Sequence, residues 1–299
     1  MTLRLTALLQ GAVDRIEKAE VLDPLADKLA PLIATIAPPG PVKDALSGSW
    51  LGHPVHPVLV SVPIGSWLAA SWLDLTGGAD GRRAATRLVG LGNLAALPTA
   101  LTGASDWVDT AGAERRIGLV HALLNYGTLG IYTLSWRARR RGRHGRGALL
   151  SLVGAGVVGA SGFLGGHLAY AQGVGVDTTA FQHGPSEWTD VAADAEVTDG
   201  APVVADAAGV PVVLVRQAGV LHALADRCTH RGGPLHEGDV VDGCLTCPWH
   251  GSAFALDGSV ERGPATRPQP AYEVRVVTDR VQVRRAGELR GLRQNPVGV

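Results

Sequence analysis

Four residues near the C-terminal end carry the plainest chemistry. Cys228-Thr229-His230 is followed, after a gap of 16 residues, by Cys247-Pro248-Trp249-His250, with glycines close behind each half. Each half offers one thiolate and one imidazole from a short loop, so two sulfurs can bind one iron of a [2Fe-2S] cluster and two imidazoles the other. A Cys2His2 zinc finger keeps its cysteines together and its histidines together. Here the two types alternate, which argues for the binuclear cluster and against zinc. The chain's three cysteines all fall between positions 228 and 247, too few and too clustered for a disulfide scaffold. Cys244 is left over and is expected to be a small buried hydrophobe.

Loops that hold a cluster need a stiff frame, and short β-rich runs surround them. Strands are expected at 202–205, 211–216, 220–225 and 252–256, closed by a hairpin of 272–277 with 281–284 across Thr278-Asp279-Arg280. The expected unit is a small all-β antiparallel domain over 190–287, preceded by a Gly, Thr and Ser linker at 173–189 and followed by a tail at 288–299.

With these residues in place, 190–287 resembles a Rieske domain of the ferredoxin-like kind. Cys228-Thr229-His230-Arg231-Gly232-Gly233-Pro234-Leu235 and Cys247-Pro248-Trp249-His250-Gly251-Ser252 resemble the two cluster loops, and Gly263-Pro264 resembles the proline-bearing loop that shields the cluster. The resemblance implies stacked antiparallel sheets with the cluster at one tip, and Gly251, Ser252 and Pro264 as residues that tune it. Cytochrome bc-type Rieske proteins carry a Ser and a Tyr after the second loop, and a disulfide between the loops. Ser252 matches the first, but Phe254 stands for the Tyr, and Gly233 and Trp249 stand for the cysteines, so an intermediate potential is expected. Oxygenase catalytic subunits share the motif but need a large iron-binding domain after it; with 49 residues following His250, a carrier is expected instead.

The first half reads differently. Four weakly charged stretches of about 20 residues, the length that crosses hydrocarbon, lie at 58–76, 84–103, 117–136 and 148–170. The competing reading is a soluble bundle of unusually apolar helices. The fold class expected is α + β in two units, an N-terminal four-helix transmembrane bundle at 46–172 followed by the small all-β Rieske domain. Residues 1–45 read as amphipathic helices ending at Pro38-Pro39-Gly40-Pro41, placed on the membrane surface among lipid. No cleaved signal peptide is expected, because the charged start lacks a basic and then apolar run.

Arg82, Arg83 and Arg87, then Arg137, Arg139, Arg140, Arg141, Arg143 and Arg146, fall in the first and third loops, whereas the opposite face has little beyond Lys43, Arg115 and Arg116. Positive charge is retained inside, so the Rieske domain is expected on the extracytoplasmic face of a bacterial cytoplasmic membrane. The Arg-rich run before the Gly-rich fourth span looks like an internal twin-arginine export signal, which would carry a folded domain across; the plainer reading is a cytoplasmic anchor. Formal net charge is zero and the arginines are local, so no nucleic-acid partner is expected.

Leu51-Gly52-His53-Pro54-Val55-His56-Pro57, Asp106 and Gly165-Gly166-His167 resemble DUF2231, a family of four-helix bacterial membrane proteins of unassigned function, over about residues 46–175. The resemblance brings no activity. Ionisable residues inside a membrane are costly and often functional. His53, His56, His121 and His167 are therefore candidates for a b-type haem or quinone site, with His121 and His167 as the best axial pair. Against this stands the reading that His121, with Asn125 one turn away, only ties helices together. The function expected is a membrane-anchored electron-transfer protein, fed by quinol or haem in the bundle and serving a redox partner protein. The alternatives are a tethered ferredoxin component for an oxygenase or reductase, and a redox sensor.

Overall fold

The computed structural model describes residues 2–285, so the expected tail at 288–299 lies outside the described residues. Seven helices come first: α1 (Thr2–Glu17), α2 (Asp23–Ile36), α3 (Pro41–Ser47), α4 (Val55–Thr76), α5 (Gly78–Trp107), α6 (Gly112–Arg140) and α7 (His144–Tyr170). Ten strands follow: β1 (Thr189–Ala193), β2 (Val203–Ala207), β3 (Val210–Gln217), β4 (Val220–Ala225), β5 (Val240–Val241), β6 (Cys244–Thr246), β7 (Ala253–Ala255), β8 (Val260–Arg262), β9 (Ala271–Val277) and β10 (Arg280–Arg285). Packing divides the chain into two units, one of Met1–Pro38 with Val55–Val174, the other of Pro39–Pro54 with the residues from Gly175 onward.

In the first unit α4 to α7 are each long and apolar enough to cross a membrane. The 22 residues of α4 rise about 33 Å, enough for hydrocarbon about 30 Å thick. Small residues let the helices close on aromatic rings. A Cβ at Gly92 would lie 2.4 Å from Trp67 Nε1, and one at Gly154 would lie 2.7 Å from Tyr132 Cε2. Trp67 and Tyr132 stack with centroids 4.4 Å apart in the bundle core. Trp67 and Trp107 are buried, whereas Trp72 is exposed.

Polar groups inside this bundle answer one another. The Arg139 guanidinium, its side chain wholly buried, forks onto Asp74 of α4 at 2.6 and 2.5 Å and donates to Ser135 Oγ and Ser151 Oγ. Trp67 Nε1 donates to Asn93 Oδ1 at 3.1 Å. The N-terminal helices are tied to the bundle rather than only resting on a membrane surface. Ala26 and Ala30 of α2 pack with Trp107 and Leu119, and Arg116 donates to both Asp23 oxygens at 2.7 and 2.6 Å.

The second unit contains a six-stranded sheet in the order β1-β10-β9-β4-β3-β2 and a four-stranded sheet in the order β5-β6-β7-β8, with every strand pairing antiparallel. Strand β3 (Val210–Gln217), next to the edge strand β2, is buried on both faces over its middle four residues. Side chains alternate along a strand, so Val212 and Leu214 enter one core with Val281 and Val283, while Val213 and Val215 enter a second with Leu245, Phe254 and both loop cysteines. The cluster motif is thereby rooted in a hydrophobic core. α3 belongs to this unit, away from the N-terminal segment with which the sequence grouped it.

Candidate metal centre

Two loops built on one plan carry the motif. The first leaves β4 (Val220–Ala225), and the second joins β6 (Cys244–Thr246) to β7 (Ala253–Ala255). In each, the cysteine N–H donates to the carbonyl five residues on, Cys228 to Gly233 at 2.9 Å and Cys247 to Ser252 at 2.8 Å. In each, a left-handed glycine four residues on donates back to the cysteine carbonyl, Gly232 at 2.8 Å and Gly251 at 3.1 Å. The N–H groups two and three residues beyond each cysteine point at its sulfur: His230 and Arg231 for Cys228, Trp249 and His250 for Cys247. The repeated frame gives both thiols the same electropositive seat.

The loops close against each other. Both cysteines are buried and their thiols share a hydrogen bond, while the His230 and His250 rings lie 5.1 Å apart, edge to face. Both Nδ1 atoms are buried and find no hydrogen-bond partner in the protein, as expected of nitrogens aimed at a metal. Among the described residues no three His, Cys, Asp or Glu side chains gather as a single ion would require. The donor set and its arrangement fit a binuclear cluster.

Electrostatics follow from the same contacts. The hydrogen bond from Cys228, with the N–H groups of Trp249 and His250, brings the Cys247 thiol down to about 7. Sharing that proton, together with burial, pushes the Cys228 thiol up. Burial, then the neighbouring charges of His250, Lys43 and Arg231, hold His230 well below the usual imidazole range, and thus neutral as a ligand must be.

Ser252 and Pro264 sit where the two remaining loops meet. Ser252 Oγ accepts from Ala265 N at 2.9 Å, which pins the Gly263-Pro264 loop and leaves the hydroxyl hydrogen available to donate. Gly233 stands where a Cβ would lie 2.8 Å from Cys247 Sγ and 3.0 Å from Trp249 Cγ, so packing under an indole joins the loops here. Cys244 is half-buried on β6, contrary to the buried position expected for it.

Sequence reasoning missed the supports. Buried Gln269 donates to the Ala225 and Arg227 carbonyls, both at 2.7 Å, and accepts from Thr229 N at 3.1 Å. Its place between Pro268 and Pro270 was the available signal, because the missing proline N–H leaves a side chain to bridge the backbone. Asp226 accepts from His236 N and Nδ1 at 2.8 and 2.9 Å. Thr178, in the expected linker, donates to Cys228 O at 2.7 Å.

The bundle histidines are arranged otherwise. His121 Nδ1 lies 2.8 Å from Ser161 O and its Nε2 lies 3.0 Å from Asn125 Nδ2, so both ring nitrogens are engaged. His167 Nε2 pairs with Glu17 Oε1 at 3.0 Å, and His56 Nδ1 meets Thr99 O at 3.0 Å. His53 is exposed. The expected axial pair of His121 and His167 gains no support here: the two rings serve different partners, Ser161 and Asn125 for one and Glu17 for the other.

Comparison with known proteins agrees with the site. Residues 187–273 match the Rieske [2Fe-2S] domain family and residues 52–178 match the predicted membrane protein family DUF2231. The anthranilate 1,2-dioxygenase ferredoxin subunit of Burkholderia cepacia is 33% identical over 99 residues, covering 33% of this chain and 92% of that protein. Cytochrome b6-f complex iron-sulfur subunit 2 of Nostoc sp. is 39% identical over 84 residues, covering 27% of this chain but 47% of that protein. Among solved structures, the ferredoxin of carbazole 1,9a-dioxygenase from Nocardioides aromaticivorans is 26% identical, with 34% of this chain and 100% of that chain covered, at a TM-score of 0.32. With its Rieske portion following a DUF2231 portion, the chain belongs to the Rieske [2Fe-2S] family of electron-transfer proteins.

Proposed function

We propose that Cys228, His230, Cys247 and His250 hold the [2Fe-2S] cluster and that the chain is a membrane-tethered, ferredoxin-like carrier delivering single electrons to a redox partner protein. The observation that carries the reading is the pair of matched loops, which brings two buried thiols into a shared hydrogen bond and two imidazole rings to 5.1 Å from each other. A cluster so ligated takes up and gives back one electron at a potential above that of all-cysteine clusters, because neutral imidazoles replace two thiolates.

The protein supplies the rest. Backbone N–H groups stabilise both sulfurs as thiolates, and burial in the Leu245 and Phe254 core keeps water from them. The rings of His230 and His250 and the exposed Trp249 form the half-open edge a partner would meet. Phe254 in place of a hydroxyl donor, and Gly233 in place of a bridging cysteine, favour a ferredoxin-like potential over that of a quinol oxidase centre. The bundle then serves as anchor, and the arginines clustered around the α4–α5 and α6–α7 junctions, Arg82, Arg83 and Arg87 in the first turns of α5 and Arg137 to Arg146 about the end of α6, favour an extracytoplasmic site for the second unit.

The test is low-temperature electron paramagnetic resonance of the purified full chain during a reductive titration. The expected result is a rhombic Rieske signal, lost in His230→Ala and His250→Ala, with an intermediate midpoint. Stoichiometric zinc in place of iron overturns the ligand assignment, and a high, pH-dependent midpoint with rapid quinol oxidation overturns the ferredoxin-like role. A reporter fused after Val299 that is active only in the cytoplasm overturns the placement.

A further inference from the structure

We propose that the junction of α6 and α7 is a binding site for an anionic phospholipid, with the lipid phosphodiester held by Arg137, Arg141, Arg143 and Arg146 and an acyl chain lying on Leu134 and Leu150. Like the anchor role just given, this rests on the bundle spanning a membrane; neither the cluster nor the choice of face enters it. The six side chains, with Ala138, line one cavity of about 180 Å³. At about 30 Å³ for a water, that is the space of roughly six waters, enough for a phosphodiester. Among the described residues no Asp or Glu lines it. The spacing accounts for its two ends. Leu134, Arg137 and Ala138 share one face of α6, which Arg141 continues at the C-cap, and after a three-residue turn Arg143, Arg146 and Leu150 repeat the pattern on α7. At 1.5 Å per residue, Leu134 lies about 4.5 Å deeper in the bundle than Arg137, and Leu150 about 6 Å deeper than Arg146. Both walls therefore pass from charge to hydrocarbon in the same direction, as a lipid does from phosphate to chain.

The neighbouring arginines show what these four lack. Arg139 is spent on Asp74, and the Arg140 guanidinium lies 5.1 Å from the centre of the Trp136 ring. Arg137, Arg141, Arg143 and Arg146 are exposed, and none of them pairs with a carboxylate among the described residues. Holding a loop on one side of a membrane asks only for positive charge. Four unpaired guanidinium groups converging on one cavity above exposed Leu134 ask for a partner as well. Arginine offers phosphate a planar fork of donors, and basic pockets between spanning helices suit acidic head groups.

The experiment is native mass spectrometry of the delipidated full chain in detergent, titrated with dioleoylphosphatidylglycerol, dioleoylphosphatidylcholine or glycerol phosphate. One phosphatidylglycerol is expected to bind about tenfold or more tightly than phosphatidylcholine, and about thirtyfold more weakly when Arg143→Gln and Arg146→Gln are combined. Should the double variant fail to fold, each single variant is expected to weaken binding about fivefold. Arg82→Gln with Arg87→Gln removes the same charge at the α4–α5 junction and is expected to leave the affinity within about threefold of wild type. Equal affinity for the two lipids overturns the proposal. So does an equal loss in the Arg82 and Arg87 control, since charge anywhere on that face would then suffice. Glycerol phosphate binding as tightly as phosphatidylglycerol overturns the lipid in favour of a free phosphate ester. Failure of the membrane reading is told apart beforehand, because the chain would then purify from the soluble fraction without detergent.

Discussion

Gly233 offers the sharpest test of how the two cluster loops close. A methyl there would stand 2.8 Å from Cys247 Sγ and 3.0 Å from Trp249 Cγ, whereas carbon contacts rest at about 3.5–4.0 Å. Neither side can yield freely. Cys247 is fixed by backbone bonds to Ser252 and Gly251, and the Gly233 carbonyl is held by Cys228 N–H. Overpacking of this kind costs about 1–3 kcal/mol, or roughly 5- to 150-fold in the population of closed loops at 1.4 kcal/mol per tenfold. Gly251→Ala is the control: its Cβ meets open space, but its φ of +76° lies in the left-handed region, where a side chain costs roughly 1–2 kcal/mol. Gly233→Ala should lower iron and acid-labile sulfide per chain and change the visible circular dichroism. Gly251→Ala should lose comparable thermal stability yet keep its cluster. Full occupancy and an unchanged spectrum in Gly233→Ala would refute the argument that the loops touch through this residue.

Asp74→Ala strands the wholly buried Arg139 guanidinium and should destabilise the bundle by about 3–5 kcal/mol; unfolding in detergent should show Arg139→Met restoring much of the loss, and an additive double mutant contradicts the pairing. Gln269→Ala frees two carbonyls and one N–H at the first cluster loop, each costing about 1–3 kcal/mol if left unsatisfied, so iron release to a chelator should quicken, and an unchanged rate counts against the support assigned to it. The Arg116 guanidinium holds the Asp23 carboxyl below its ordinary 3.8. That contact stabilises the docked arm above the ordinary value and is lost as pH falls through the lowered one, so limited proteolysis should find α2 equally protected from pH 7 to pH 5; loosening within that window contradicts the assignment.

The cluster loops were legible because their chemistry is local. Thiolate and imidazole at fixed spacing, with glycines at Gly232 and Gly251 where the chain must turn left-handed, leave few other readings. Long runs also declared themselves, since α4 to α7 are periods of apolar residues that outlast any loop. Short strands did not: β5 (Val240–Val241), β6 and β8 (Val260–Arg262) have too few residues to show alternation, and they exist because the cluster loops pair across them. The supports were hidden for a different reason. Nothing near Asp44 announces a partner 219 residues away at Gly263, and nothing near Thr178 announces the Cys228 carbonyl. Such contacts are set by tertiary packing, which a sequence pattern records only where the partners are neighbours.

The same distinction decides what the bundle histidines mean. A polar side chain in a membrane must find a partner, and the identity of that partner separates structure from chemistry. His56 turns to Thr99 and Thr102 on α5, His121 to Ser161 on α7, and Arg139 to Asp74, Ser135 and Ser151 across three helices. All of these except Arg139 to Ser135 join two helices, and glycines open the space beside the histidines: a Cβ at Gly103 would strike the His56 ring at 2.7 Å, and one at Gly165 would reach the His121 ring at 3.0 Å. A ring seated against a glycine on one side and bonded to a neighbouring helix on the other is a clamp, with its hydrogen-bonding capacity directed into the bundle. The loops at Cys228 and Cys247 do the opposite. They satisfy their own backbone first, bring the two thiols into contact and the two imidazole rings to 5.1 Å from each other, and leave both Nδ1 atoms buried, an arrangement that fits a [2Fe-2S] cluster.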